Sequence, residues 1–291
     1  MRIALIGAGG QLGTDLQTCL EGDVAALGHE SIEITDAANV EAVLSKVAPE
    51  CVVNSAAYNL VDRAEDEPDV AYAVNALGPR NLAMFCGDRD IPLLHVSTDF
   101  VFSGRIRLFG LEIERQMPYR EFDTPRPLGA YAVSKLAGEH YVASLCRRHF
   151  VVRTCGLYGC GGTRGKGNFV ETMFRLATER DELKVVDDQI CTPTASVDLA
   201  HAIQALINTD AYGLYHATNS GSTSWYDFAR EIFRLAKSDT QVSPVTSAQF
   251  GAKAARPSYS VLNQQKLSKV LGFELQTWQQ ALAQYLSERP A

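Results

Sequence analysis

A glycine-rich turn follows the first apolar run of the chain, and this pairing constrains the fold more than any other feature of the sequence. Residues Ile3–Ile6 have the apolar character of a buried strand, and the turn Gly7–Gly13 follows them directly. The glycines Gly7, Gly10 and Gly13 have the spacing that permits a tight turn, a close approach of backbone to a pyrophosphate, and packing of a helix on a strand. Because a helix N-terminus favours an anion, the sequence predicts a nucleotide cofactor here, with a plain glycine turn as the alternative.

Short apolar runs alternate with longer helical patterns over the first half of the chain, as in a parallel sheet with crossover helices. The predicted strands are Ile3–Ile6, Val24–Leu27, Val52–Asn54, Leu93–Ser97 and Val151–Thr154. The predicted helices are Gln11–Leu20, Val40–Val47, Pro68–Cys86 and Tyr131–Cys146. The fold class is therefore α/β, a Rossmann-type doubly wound parallel sheet.

The second half of the chain has a different pattern, in which helices mix with short strands. The predicted elements are helices Phe169–Ala177, Val197–Ile207 and Ser224–Ala236 and strands Leu183–Val186 and Leu214–His216. We expect residues 1–155 to form the NAD(P)-binding domain and residues 156–291 to form mainly a smaller C-terminal substrate-binding lobe. Since the sequence contains no long linker, we expect the two parts to interleave.

Composition and charge exclude several classes of protein. The formal net charge of −7 and the pI near 5.4 argue against a nucleic-acid or anionic membrane surface. No apolar run approaches the roughly 18 residues that cross a membrane, and the first apolar run is too short for a secretion signal. The seven cysteines include no zinc-binding pattern and fit reduced thiols. We therefore expect a cytoplasmic protein.

The residues after the second strand bear on the choice of cofactor. An acidic residue at that strand's end accepts a hydrogen bond from the adenosine ribose in NAD-dependent proteins of this fold. This chain has Gly28 there instead, followed by His29 and Ser31, which could donate to a 2′-phosphate. This pattern favours NADPH over NADH. Asp36 is a candidate contact for the adenine end, with a helix N-cap as the alternative.

Three polar side chains predict the reaction centre. Thr98 follows Ser97 at the end of the fourth strand, and the carboxyl ends of parallel strands face the ligand crevice. Tyr131 and Lys135 lie four residues apart, so a helix places them on one face. The ammonium of Lys135 could then lower the pKa of the Tyr131 phenol from about 10 and make it a proton donor near neutral pH. Together with the glycine turn, these residues predict a dehydrogenase site that needs no metal.

Further motifs extend over nearly the whole chain. They are Asn54–Tyr58, Val61–Glu65, Ser97–Phe102, Tyr131–Glu139, Gly167–Phe169, Asp188–Thr194 and Ala255–Pro257. With the glycine turn before them, these segments resemble the extended short-chain dehydrogenases, and more narrowly the dTDP-4-dehydrorhamnose reductase group.

The resemblance implies an NAD(P)H-dependent oxidoreductase that delivers hydride to the C4 carbonyl of a nucleotide-linked 4-keto-6-deoxysugar, forming dTDP-L-rhamnose. The catalytic residues would be Thr98, Tyr131 and Lys135. The cofactor would contact Gly7, Gly10, Gln11, Leu12, Gly13, His29, Asp36, Ala56, Ala57, Tyr58, Asn75, Tyr131 and Lys135. The nucleotide sugar would contact Asp99, Asn168, Gln189 and Arg256, with a surface salt bridge as the alternative for Arg256.

Some features leave alternatives open. Phe100 follows Thr98-Asp99 where dehydratases have a second carboxyl group, which argues against dehydration. An epimerase, a reductase of another keto-sugar, and a cofactor-binding regulatory subunit without catalysis remain alternatives. The segment 105–117 is longer than in most members of the group and reads as a lid, a partner surface or a plain insertion. Some members dimerise through Mg²⁺, for which Asp15 and Glu288 are candidates, so we expect a monomer or a homodimer.

Overall fold

The computed structural model describes residues 1–108, 111–161 and 167–289. The strands are β1 (Arg2–Ile6), β2 (Asp23–Leu27), β3 (Cys51–Asn54), β4 (Leu93–Thr98), β5 (Arg105–Leu108), β6 (Leu111–Glu114), β7 (His149–Thr154), β8 (Leu157–Tyr158), β9 (Glu182–Val186), β10 (Ile190–Cys191), β11 (Thr194–Ala195), β12 (Gly213–His216), β13 (Thr223–Ser224) and β14 (Gln241–Val245). The α-helices are α1 (Gln11–Cys19), α2 (Ala37–Val47), α3 (Pro68–Tyr72), α4 (Gly78–Asp88), α5 (Ala130–Leu145), α6 (Phe169–Ala177), α7 (Ser196–Ile207), α8 (Trp225–Ala236), α9 (Ser247–Phe250), α10 (Gln265–Leu271) and α11 (Trp278–Glu288).

A six-stranded sheet in the order β12-β7-β4-β3-β1-β2 forms the centre of the molecule, and every neighbouring pair is parallel. One hydrophobic cluster packs helices α1 and α7 on one face, and a second packs α2, α4 and α5 on the other. This is the doubly wound α/β fold that the sequence predicts. The direction of winding reverses between β1 and β3, and open sheets of this kind bind ligands at such a switch point.

The predicted helix Pro68–Cys86 is interrupted. Helix α3 ends at Tyr72, a single π-helical turn spans Ala73–Leu77, and α4 begins at Gly78. Pro79 explains the change, because its missing N–H and its ring do not fit the regular bonding pattern of a continuous helix. Helix α5 packs closely against this turn, and a Cβ on Gly138 would lie 2.2 Å from the carbonyl oxygen of Asn75.

The predicted strand Leu214–His216 does not lie in the smaller lobe. It forms part of β12, which pairs with β7 at the edge of the central sheet. Its Tyr215 side chain is buried in the cluster that covers one sheet face, and this packing explains the placement. A separate hydrophobic cluster joins α6, α8 and α11 beyond the carboxyl edge of β7. In the described part of the chain, no helix is long and apolar enough to cross a membrane.

The long segment 105–117 contains an antiparallel hairpin of β5 and β6, with residues 109 and 110 outside the described ranges. Opposite charges face each other across the strands, as in the pair Arg105 and Glu114. Arg126 also donates to Glu112 at 2.6 Å. The hairpin therefore has a charged face tied to the neighbouring loop, while Leu111 and Ile113 are exposed.

Candidate active site

The glycine turn at the end of β1 has the close contacts that its spacing predicts. Gly7 has a φ of +80°, and a Cβ there would lie 2.6 Å from the backbone nitrogen of Ala56. A Cβ on Gly13 would lie 2.2 Å from the carbonyl oxygen of Gly7. A Cβ on Gly9, in contrast, would meet nothing within 4 Å. The backbone therefore requires glycine at the first and last positions of the motif and leaves Gly9 free.

Two buried asparagines hold the loop after β3 against the glycine turn. Asn54 accepts from the backbone N–H of Ala56 at 3.1 Å. Asn75 accepts from the N–H of Tyr58 at 2.8 Å and donates to its carbonyl at 2.9 Å. Ala56 and Ala57 line the cleft, as predicted. Tyr58 and Asn75 do not line it, so they support the loop from behind and do not contribute a surface to the cleft.

The end of the cleft beyond β2 contains one unexpected acid. His29 lines the cleft there, with an exposed side chain, and so does Glu33, which the sequence analysis missed. Hydrogen bonds from the backbone and side chain of Thr35 lower the pKa of Glu33. Glu33 lies six residues after the end of β2, whereas this fold usually has its ribose-binding acid directly at the strand's end. The sequence therefore contained little indication of Glu33.

The prediction for Asp36 needs correction. Its carboxylate accepts from the backbone N–H groups of Ala38 and Asn39 at 2.9 and 3.3 Å, so it caps helix α2. The residue is not among those that line the cleft. A short acidic side chain at the start of a helix satisfies two otherwise unpaired donors, and this explains its presence without a ligand.

The three predicted catalytic side chains meet in the same cleft. Thr98 ends β4, while Tyr131 and Lys135 lie one turn apart near the start of α5, and all three line the cleft together with the glycine turn. Gly129 is the N-cap residue that precedes α5, and a Cβ there would lie 2.4 Å from Glu65 Oε1. The crevice at the carboxyl edge of the sheet thus contains a hydroxyl, a phenol and an ammonium group next to the glycine turn.

The expected effect of Lys135 on Tyr131 is not what the structure shows. Burial raises the pKa of Tyr131 to about 12. Lys135 donates to the carbonyl oxygen of Val96 at 2.7 Å, and its burial lowers its own pKa to about 8. The cost of burying the charge on Tyr131 or on Lys135 is therefore larger than the attraction between the two charges.

A buried ion pair holds helix α5, which carries Tyr131 and Lys135, on the sheet. Glu139, one turn after Lys135, accepts two hydrogen bonds from Arg153 on β7 at 2.9 and 2.6 Å. Ser97 on β4 donates to the same carboxylate at 2.6 Å. All of these side chains are buried, so the charges are compensated by each other and not by water. The pair fixes the rotation of α5 that presents Tyr131 and Lys135 to the cleft.

Asp99 is also a correction to the predicted substrate contacts. The residue is only 2% exposed, and each carboxylate oxygen already has a partner. Thr98 donates to Oδ1 at 3.1 Å, and Ser260 donates to Oδ2 at 2.5 Å. Burial raises the pKa of Asp99, opposed by these donors and by the Cys155 thiol. Asp99 therefore lies beneath the cleft and contacts Thr98, and does not face a ligand.

Of the other predicted substrate contacts, Asn168 lines the cleft, whereas Gln189 and Arg256 lie outside it. Asn168 lines the cleft and donates to Gln11 at 3.1 Å, so it joins the segment after residue 156 to the glycine turn. Gln189 is buried and donates to Ser247 at 2.8 Å. Arg256 forms a two-pronged ion pair with Asp62 at 3.0 and 2.9 Å. The structure therefore does not place Gln189 or Arg256 in the cleft, and it supports the salt-bridge alternative for Arg256.

The acids considered for a metal do not form a cluster. Asp15 accepts from Ser196, and burial raises its pKa. Glu288 accepts from Gln284 at 3.0 Å. Within 1–108, 111–161 and 167–289, no group of three His, Cys, Asp or Glu side chains is arranged to hold a metal ion.

A parallel sheet with a glycine turn at its switch point, and a Thr, a Tyr and a Lys in the adjoining crevice, define a nucleotide-dependent oxidoreductase of the short-chain dehydrogenase type. The chain matches the family described as RmlD substrate binding domain over residues 1–290, and it belongs to that family.

Known proteins of this family resemble the chain over nearly its whole length. A dTDP-4-dehydrorhamnose reductase of Mycobacterium tuberculosis is 43% identical over 98% of this chain and 92% of its own length. The spore coat polysaccharide biosynthesis protein SpsK of Bacillus subtilis is 38% identical over 99% of this chain and 98% of its own length. A crystal structure of dTDP-4-dehydrorhamnose reductase from Bacillus anthracis in complex with NADP has a TM-score of 0.91 at 40% identity and covers 99% of both chains.

Proposed function

We propose that this protein reduces the C4 carbonyl of dTDP-4-dehydrorhamnose with NADPH and forms dTDP-L-rhamnose. The observation that supports this most is the meeting of Thr98, Tyr131, Lys135 and the glycine turn in one cleft of about 1430 Å³. Pockets for single small ligands occupy roughly 300–1,000 Å³. The larger volume leaves room for a dinucleotide and a nucleotide sugar side by side.

The glycine turn fits a dinucleotide on its own geometry. Side chains at Gly7 and Gly13 would collide with backbone, so the turn leaves the N-terminus of α1 open to an anionic pyrophosphate. His29 lies at the ribose end as a donor for a 2′-phosphate, while the carboxylate of Glu33 would oppose that charge. The NADP in the Bacillus anthracis relative supports NADPH as the cofactor of this chain.

The proposed chemistry divides between the cofactor and the protein. Bound NADPH supplies the hydride. The high pKa of Tyr131 keeps its phenol protonated at neutral pH, so Tyr131 donates its proton to the C4 oxygen of the sugar. Thr98 lines the cleft together with Tyr131 and helps to fix the Tyr131 hydroxyl. Lys135 provides positive charge beside the reacting groups, and it is anchored by Val96. Asn168 contributes a polar wall to the substrate side of the cleft.

Oxidation of NADPH, followed at the nicotinamide absorbance with dTDP-4-keto-rhamnose as substrate, tests this proposal. We expect rapid oxidation that consumes one NADPH for each sugar reduced, with NADH oxidised more slowly. An epimerase would return its hydride to the sugar and consume no NADPH over a full cycle. Binding of NADPH without oxidation in the presence of the sugar would contradict the reductase and favour another keto-sugar or a regulatory subunit.

We also propose that the enzyme acts in the cytoplasm on a soluble nucleotide sugar, as a monomer or a homodimer. The net charge of −7 supports a location away from nucleic acid and anionic membranes. Light scattering coupled to size exclusion distinguishes the two assemblies. A mass near 31.8 kDa indicates the monomer, twice that mass indicates the dimer, and a larger assembly contradicts both.

A further inference from the structure

The Thr98 hydroxyl has a single hydrogen and two lone pairs, so its partners decide in which direction it can donate. The backbone N–H of Phe100 donates to one lone pair at 3.2 Å. The hydrogen points to Asp99 Oδ1 at 3.1 Å. One lone pair is left on this oxygen. Thr98 and Tyr131 line the same cleft, and the Tyr131 ring packs edge-on against the ring of Phe100, two residues after Thr98, with 5.8 Å between ring centroids.

Ser260 is the residue that holds Asp99 in place. It comes from the C-terminal part of the chain, 161 residues after Asp99, and donates to Oδ2 at 2.5 Å. The backbone N–H of Ser260 donates to Ile190 at 2.8 Å, so the segment is anchored to strand β10. Ser260 and Asp99 are each only 2% exposed, which excludes water as a substitute partner. A carboxylate with a fixed second oxygen keeps its first oxygen aimed at Thr98.

We propose that Ser260 is a positioning residue for the reaction: through Asp99 it fixes Thr98 as a hydrogen-bond acceptor for Tyr131. While Asp99 is ionised, it takes the only hydrogen of Thr98. Tyr131 then donates its proton toward Thr98 in the free enzyme and is held at the place from which it reaches the sugar oxygen. When Asp99 is protonated, the direction of the Thr98 hydroxyl is no longer fixed. This inference rests on the reduction proposed above.

The groups around Asp99 determine the sign of the expected pH dependence. Thr98 approaches it from β4, Ser260 from the C-terminal segment, the Cys155 thiol from the end of β7, and Tyr131 from α5. A donor to the charged form lowers the pKa of a carboxyl group. Removal of the Ser260 hydroxyl therefore raises the pKa of Asp99, and the active, ionised state is lost at a higher pH.

The test compares the wild type with Ser260→Ala in two measurements. In the free protein, a carbon-detected NMR titration of the aspartate carboxyl groups, assigned with Asp99→Asn, should show Asp99 of Ser260→Ala titrating about one pH unit higher. In turnover, the acid limb of kcat/KM against pH should move by the same amount. Ser260→Thr keeps the hydroxyl and should restore the limb. Ser258→Ala, two residues away and outside the contact with Asp99, should leave it unchanged.

The variants Asp99→Asn and Ser260→Ala each give a result that supports or overturns the role of Ser260. Asp99→Asn carries no titrating charge, so its acid limb should disappear, and this variant serves if Ser260→Ala does not fold. The proposal would be overturned if Asp99 of Ser260→Ala titrates at a higher pH while the acid limb of kcat/KM does not move. It would also be overturned if Asp99→Asn retains the acid limb. A wild type that does not reduce the keto-sugar would instead contradict the proposed function, and the NMR titration would still report on the contact between Ser260 and Asp99.

Discussion

The two sides of the cleft are built in different ways. On the side of the glycine turn, the backbone itself excludes side chains, because a Cβ at Gly7 or Gly13 would lie 2.6 or 2.2 Å from backbone atoms. On the substrate side, Asn168 faces the cleft, but Gln189 contacts Ser247 and Arg256 pairs with Asp62. A ligand site made of backbone depends on local spacing, while a site made of long side chains depends on which partners the tertiary fold offers.

Removal of the Tyr131 hydroxyl tests the centre where the two sides meet, and it has the largest expected effect. Tyr131→Phe should lower kcat by about 10²-fold or more, because it removes the proton donor. Binding of NADPH, measured by titration of its fluorescence, should be nearly unchanged. The matched control is Tyr141→Phe on the same helix, whose hydroxyl contacts Tyr72. Full activity of Tyr131→Phe would contradict the assignment of the donor.

A pair of glycine substitutions tests the backbone-built side. Gly13→Ala should weaken NADPH binding by roughly tenfold or more, because overpacking of about 1–3 kcal/mol displaces the turn. Gly87→Ala, whose Cβ would lie 2.1 Å from the carbonyl oxygen of Leu145 and which does not line the cleft, is equally overpacked and should leave the dissociation constant unchanged. Calorimetric titration with NADPH measures both. Equal affinities for the two variants would show that the turn does not hold the cofactor in the manner proposed.

Loss of the positive charge on Lys135 should have a smaller effect, which appears in the dependence of kcat/KM on pH. Burial lowers the pKa of Lys135 to about 8, so the ammonium is present below that pH and is lost above it. If the charged form is the active one, kcat/KM should fall as pH rises through about 8. Lys135→Arg retains its charge and should move this alkaline limb upward. The control is Lys46→Arg at an exposed position, which should leave the alkaline limb of kcat/KM unchanged. If the alkaline limb does not move in Lys135→Arg, it arises from another group.

Substitution of Arg256 has the smallest expected effect. It tests whether this long side chain stays paired with Asp62 or binds the substrate. Its ion pair with Asp62 is partly exposed, and such pairs contribute about 0–1 kcal/mol. Arg256→Ala should therefore raise KM for the nucleotide sugar by less than about fivefold. The exposed Arg175→Ala is the matched control. An increase in KM of more than about tenfold would mean that Arg256 leaves Asp62 and binds the substrate diphosphate.

The sequence predicted the fold well where local pattern determines structure. The five predicted strands between Ile3 and Thr154 were found to within two residues at each end, because strands in the interior of a parallel sheet have continuous apolar runs and the edge strand β2 is also largely apolar. The sequence also predicted Thr98, Tyr131 and Lys135 as one site, and the structure brings these three side chains into one cleft. It did not reveal the interruption at Ala73–Leu77, which results from Pro79 inside an otherwise helical pattern.

Contacts between distant parts of the chain could not be predicted in this way. Ser260 reaches Asp99 across 161 residues, and Arg256 reaches Asp62 across 194. No spacing rule connects such positions. The raised pKa of Tyr131 was missed for the same reason, since it depends on burial by the complete fold and not on the neighbouring Lys135. The pairing of strand Leu214–His216 with β7 could not be predicted either, because β7 precedes it by about 60 residues.

Transfer of a labelled hydride from NADPH to C4 of the sugar tests the proposed reduction most directly. The wild-type enzyme is given dTDP-4-keto-rhamnose and NADPH that carries deuterium at the transferable position of the nicotinamide, and the product sugar is analysed by NMR and mass spectrometry. The account predicts one deuterium at C4 of the sugar for each NADPH oxidised, with the incorporation rate reduced about 10²-fold in Tyr131→Phe. A product without deuterium at C4, or an equal rate in Tyr131→Phe, would contradict it.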